Sequence, residues 1–138
     1  MRKTLAVALF VALLSVPFAA GAEVNPADYK EVSQGELVGK RDVFAGKKVQ
    51  VSGVFQFAGS DFCYQIRKTK INTKDYFCFA LGAPSLVRLY LKKSHAQADQ
   101  LLNLKRGDKV TAFGTFDYMG ADYNYTVVDQ IVVEKAGK

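Results

Sequence analysis

Two cysteines, one histidine, a basic run and seven tyrosines are the residues of this chain whose chemistry could define a site. Cys63 and Cys78 make an even pair. In an oxidising compartment such a pair reads first as a structural disulfide, whereas redox-active pairs favour Cys-x-x-Cys at a helix N-terminus. Arg67, Lys68, Lys70 and Lys74 cluster with Asp75 as the single acid among them. That cluster could track an anionic chain, or could simply be a solvated tip that discourages strand-edge pairing. Tyr118, Tyr123, Asn124 and Tyr125 gather flat rings that stack on bases or sugars, or else cover an open barrel end. His95 has no Ser, Asp or Glu at a spacing that builds a hydrolytic triad, and it is read as a surface histidine. Asp108, Asp117, Asp122 and Asp129 are scattered, too few in any one place for an acid–base pair or a cation site. One histidine and no third sulfur ligand argue against a zinc or haem centre. No catalytic residue, metal or cofactor is therefore assigned, and a non-enzymatic protein is expected.

These residues sit in a chain that changes character twice. Residues 1–22 read as a secretory signal peptide: Arg2 and Lys3, an apolar run from Leu5 to Val16, Pro17, and the small residues Ala20 and Ala22 at the cleavage point. The run is shorter than the roughly 20 residues that cross a bilayer, so no membrane anchor is expected and the product should reside in the periplasm or be secreted. Removing residues 1–22 from the 138 leaves 116, one domain's worth. Two of the 19 bases leave with the signal, so a formal charge of +6 falls to +4, which permits an anionic partner without requiring one.

Residues 23–45 form a lead-in, with Asn25 capping Pro26 and a turn or two of helix over Ala27–Val32. From Gly46 to residue 134 the pattern is β: strands at Lys48–Phe57, Phe62–Arg67, Tyr76–Leu81, Leu86–Leu91, Val110–Tyr118 and Tyr123–Glu134. Ser94 reads as the N-cap of a short helix through Ala98, Leu101 and Leu102. Lys135 onwards is a polar, fraying tail. If residues 62–67 pair with 76–81 around Lys70-Ile71, Cys63 opposes Cys78, Gln65 opposes Tyr76 and Arg67 opposes Lys74, with Phe62, Tyr64, Phe77 and Phe79 on the other face. A disulfide there would contribute about 3 kcal/mol in the chain-entropy description. Residues 62–67 are either an inserted hairpin strand or the bent end of the first strand.

The segment Gly46-Lys-Lys-Val-Gln-Val-Ser-Gly53-Val-Phe55 repeats as Gly107-Asp-Lys-Val-Thr-Ala-Phe-Gly114-Thr-Phe116. Each copy is a turn glycine, an alternating strand and a mid-strand glycine that lets the sheet curl. With a helix before the second copy, the order is that of a five-stranded Greek-key OB-fold barrel with one extra hairpin strand and one short helix before the fourth barrel strand. On Asn25-Pro-Ala-Asp-Tyr29, Gly46–Gly53 and Leu104–Gly114, the chain resembles the OB-fold nucleic-acid-binding-type families, notably the tRNA-anti-like group. The resemblance implies binding along the outer face of the second and third barrel strands and the flanking loops. It points to Tyr76, Arg88, Tyr90 and Lys92 beside Arg67, Lys68, Lys70 and Lys74, and to Tyr118, Tyr123 and Tyr125. An exported OB-fold would meet an anionic polymer, a cell-wall glycan or an envelope protein sooner than nucleic acid. The expected protein is a monomeric binding module, with a protein-interaction scaffold as the alternative and single-stranded nucleic-acid binding behind both.

Overall fold

The computed structural model describes residues 23–61, 63–66 and 70–135. Arg67, Lys68, Ala20 and Ala22, with the rest of the expected signal peptide, lie outside the described residues. Among the described residues no helix is long and apolar enough to cross a membrane.

Asn25 caps a 3-10 turn at Pro26–Asp28 by accepting the Ala27 amide proton, as the Asn-Pro signal predicts. The expected longer helix through Val32 does not form. Instead Lys30–Glu31 (β1) lies parallel to Lys48–Gly59 (β2), and helices Gln34–Gly39 (α1) and Arg41–Phe44 (α2) follow. Ser33 caps α1 by accepting from the Glu36 amide, which lets a helix begin despite Gly35.

Five strands then close a barrel: β2, Tyr76–Leu81 (β3), Arg88–Lys92 (β4), Lys109–Met119 (β5) and Tyr123–Glu134 (β6). Their order β2-β3-β4-β6-β5 closes through a β2–β5 pairing, with only the β4–β6 contact parallel. A short helix, Ala98–Leu102 (α3), precedes β5. This is the OB-fold arrangement expected from the element order. The extra strand is β1, paired with β2, and the described residues 63–66 form none.

Within the barrel, alternate residues of each strand fill the interior. Phe55, Phe79, Leu81, Leu89, Leu91, Val110, Ala112 and Ile131 form one cluster. Val49, Val51, Phe116 and Val87 form another with Leu37 of α1 and Phe44 of α2. Gln34 fastens the lead-in to the barrel. Its amide donates to Leu81 O at 2.8 Å, and its carbonyl oxygen accepts from the Leu86 and Val87 amides at 2.8 and 2.9 Å.

The region between β2 and β3 differs most from the sequence expectation. β2 continues to Gly59 and takes β3 as its own partner, with Gly59 opposite Cys78. Among residues 63–66 only Ile66 pairs, in an isolated antiparallel bridge with Ile71. The Cys63–Cys78 disulfide does form, with Cα atoms 6.0 Å apart, but from a loop and not across a hairpin ladder.

Candidate functional site

The described parts of the connection between β2 and β3, residues 60–61, 63–66 and 70–75, leave the barrel, and Ile66 and Ile71 lie over the outside of β3, β4 and β6. Cys78, Tyr90 and Tyr125 alternate with interior residues along their strands and so point outward. Ile66 and Ile71 descend on them, and the five residues pack into a third apolar cluster, flanked by Cys63, Tyr76 and Tyr123. Tyr90 and Tyr125 were expected to meet ligand on an open face. They do sit on that face, but each is 0 % exposed because the chain itself covers them.

The cover is held by polar as well as apolar contacts. Tyr90 donates its phenolic proton to Tyr64 O at 3.0 Å and also meets the Tyr123 hydroxyl. Burial pushes the Tyr90 phenol well above the ordinary tyrosine range, and burial raises Tyr123 as well. The Tyr64 ring lies 4.8 Å from that of Tyr123, yet the residue remains 60 % exposed.

At the edge of this cover a cationic cleft opens. Lys70 and Lys74 from the connection line it together with Tyr76, Ser94, and Lys92 and Lys93 at the end of β4, and the Lys93 ammonium lies 5.1 Å from the Phe77 ring. The cleft measures about 460 Å³, and Asp75 contributes its single carboxylate. The register explains the meeting, since Tyr76 pairs directly with Lys92 across β3 and β4. Asn72 sets the lysine-bearing turn. Its side-chain carbonyl accepts from the amides of Lys74 and Asp75, and its amide donates to the Asp75 carboxylate at 3.1 Å. The Asp75 carbonyl in turn accepts the Lys93 amide proton at 2.8 Å, tying the two walls together. Lys70 is held at φ 60°, a left-handed conformation uncommon for a lysine.

Lys70, Lys74, Tyr76 and Lys92 were thus named from sequence and come together. Lys93 was missed; its signal was the doubled lysine ending a strand. The remaining candidates lie elsewhere. Arg88 sits with its guanidinium 5.5 Å from the Phe57 ring. Tyr118 turns toward α2, where its hydroxyl donates to Asp42 and the Arg41 guanidinium lies 4.0 Å over its ring. Arg41 also donates to Ala121 O at 2.7 Å and to Gly120 O, clasping the β5–β6 turn. Tyr118 is a fastening of the fold, on a different part of the surface from the cleft.

Three further sequence readings change or sharpen. The N-cap of α3 is Gln97, not Ser94. His95 is not a free surface group: Nε2–H donates to Asp129 O at 2.7 Å while Nδ1 accepts from the Gln97 amide at 2.9 Å, pinning the start of α3 to β6. Lys135, assigned to a fraying tail, pairs with the buried carboxylate of Asp108 at 3.1 Å.

Comparison with solved structures places the barrel among known folds. The chain shares its fold with parts of two tRNA synthetases. A putative aspartyl-tRNA synthetase from Leishmania major Friedlin aligns with 86 % of this chain at TM-score 0.56 and 11 % identity. Asparaginyl-tRNA synthetase from Pyrococcus horikoshii aligns with 78 % at TM-score 0.55 and 15 % identity. The match covers 23 % of each synthetase, so the likeness is to a fraction of those proteins. At such identity it shows the OB fold alone. No protein-family model and no curated protein matches the chain.

Proposed function

We propose that this protein is an exported, non-catalytic OB-fold module that binds an anionic ligand in the cleft between Lys70, Lys74, Lys92 and Lys93. The supporting observation is that four lysines, from two separate stretches of chain, line one concavity with one carboxylate. Like charges repel, so such a cluster costs the folded state and is offset when an anion enters. Tyr76 supplies an apolar floor against which a ring or chain can lie. Export rests on the pattern of residues 1–22 and is consistent with the Cys63–Cys78 disulfide, since disulfides persist in oxidising compartments.

The covered outer face weighs against nucleic-acid stacking along β3 and β4, because Tyr90 and Tyr125 are enclosed. The test is fluorescence anisotropy with labelled short-chain polyphosphate across a salt series. Saturable binding that weakens as salt rises, and is lost in Lys74→Glu/Lys92→Glu, is expected. Salt-independent binding, or binding unchanged in that variant, would sink the proposal. Secretion is tested separately by following cleavage after Ala22 in a bacterial host, and a full-length cytoplasmic product would count against it.

A further inference from the structure

A second concavity adjoins the cationic cleft and differs from it in chemistry. It measures about 840 Å³ and is lined by Ser60, Asp61, Tyr64, Gln65 and Thr73, with Lys93 common to both. Thr73 and Lys74 are consecutive, so one wall also runs from one concavity into the other. Among the described residues, the pair therefore makes an extended groove with its lysines gathered at one end and Asp61 among neutral polar side chains at the other.

We infer that the groove takes an acidic polysaccharide, with its carboxylates at the lysines and its sugar rings along Tyr64, Asp61 and Gln65. This rests on the anion-binding reading of the lysine cleft and deepens it. Three features select a sugar chain over a phosphate chain. The Asp61 carboxylate accepts hydrogen bonds from sugar hydroxyls, which a polyphosphate or phosphodiester chain does not offer along its length. Gln65, Ser60 and Thr73 supply neutral donors and acceptors, which suit a ligand carrying many hydroxyls. Tyr64 presents an amphipathic ring, 60 % exposed and steadied against Tyr123, for the apolar face of a pyranose. Tyr64 meets the buried cluster through its backbone carbonyl, which accepts from Tyr90. Replacing the side chain therefore leaves that fastening in place.

The experiment measures binding of the oxidised protein to a short polygalacturonate, to short-chain polyphosphate and to oligo-dT at one ionic strength. Polygalacturonate should bind tightest, and Tyr64→Ala should weaken it roughly tenfold, in line with loss of one ring contact and its neighbouring hydrogen bonds, while polyphosphate binding stays unchanged. Asp61→Lys should narrow or reverse the preference. The inference fails, and the anion-binding reading stands, if polyphosphate binds as expected but polygalacturonate is no tighter or is indifferent to Tyr64→Ala. Tighter binding of oligo-dT than of polygalacturonate overturns it in favour of nucleic acid. Loss of binding to all three probes removes both the inference and the reading beneath it. Circular dichroism of Tyr64→Ala confirms that any loss is not unfolding.

Discussion

Val51 and Ala112 face each other across β2 and β5, and each is the counterpart of the other in the repeated segment. The ladder around them is symmetric. Val49 pairs with Gly114 and Gly53 with Val110. The Gly46 amide donates to Phe116 O at 2.8 Å, and the Gly107 amide to Phe55 O at 3.3 Å. Phe116 N reaches Lys47 O at 3.0 Å, and Phe55 N reaches Asp108 O at 2.7 Å. The two copies thus meet as an antiparallel pair about a local two-fold axis, with Gly46 and Gly107 turning into their strands at φ 77° and 104°. The pairing closes the barrel.

The two mid-strand glycines should not be equally replaceable. A Cβ on Gly114 would lie 2.2 Å from Val127 O, a backbone atom that cannot yield without shifting β6. At Gly53 the nearest atom would be the Leu81 Cβ at 3.0 Å. Gly114→Ala should cost about 3 kcal/mol or prevent folding, and Gly53→Ala about 1 kcal/mol. Urea unfolding of both variants checks the order, and equal losses would contradict it.

The repeated segment, the five barrel strands, the Asn25-Pro26 cap and the cysteine pair were legible from sequence, because each rests on local periodicity or on the chemistry of one residue type; the edge strand β1 was not. The burial of Tyr90 and Tyr125 was not. Alternation tells which side of a sheet a residue takes; it does not tell what later covers that side. Ile66 and Ile71 carried the hint, two β-branched apolar residues inside a polar stretch that would otherwise be a solvated tip. Lys70 and Lys74 were readable as a charge run and Lys92 from the OB-fold resemblance, whereas Lys93 was not named. Lys92 and Lys93 join the cleft through the β3–β4 register, which pairs Tyr76 with a residue distant in sequence. The role of Gln34 depends on the end of β3, 47 residues away from it, and on the loop that follows, and it leaves no local trace.

Gln34→Ala should therefore be costly for a residue outside the barrel. It removes three hydrogen bonds and strands the Leu86 and Val87 amides, the latter buried. At about 1 kcal/mol per bond the loss should reach about 2–3 kcal/mol. Hydrogen exchange should show the change concentrated at Leu86 and Val87, and unaltered protection there would argue against the clamp.

Reducing the Cys63–Cys78 disulfide should loosen the cover before the barrel. The bridge closes a 15-residue separation and is worth about 3 kcal/mol in the chain-entropy description. Phe79, Leu81, Leu89 and Leu91 pack in a cluster separate from the one that holds Tyr90 and Tyr125. Reduction by a dithiol should shift the near-ultraviolet tyrosine signal while far-ultraviolet circular dichroism stays close to native. Simultaneous loss of both signals would mean that cover and barrel are one cooperative unit.

Lys70 offers a separation of stability from binding. Its left-handed backbone at φ 60° costs a lysine about 1 kcal/mol, a cost glycine does not bear. Lys70→Gly should raise the urea midpoint while weakening polyphosphate binding severalfold, since one of the cleft's cations goes. A gain in stability with unchanged affinity would remove Lys70 from the site.

Alkaline pH should unfold the protein through its tyrosines. Tyr29 donates to the Asp129 carboxylate at 2.8 Å, and burial together with that bond lifts its phenol from 10.0 to about 12. Tyr90 and Tyr123 are raised in the same direction by burial. A pKa raised on folding means that the folded state holds the proton more tightly than the unfolded chain. The associated stability is complete below the ordinary tyrosine value and drains away as pH climbs from about 10 towards about 12. Tyr29→Phe should lower stability at neutral pH, because the Asp129 bond is lost, yet flatten the decline above pH 10. Tyr90→Phe should flatten it as well. Urea titrations at a series of alkaline pH values give the slopes directly, and slopes indistinguishable from wild type in both variants would show that these phenols do not carry the linkage.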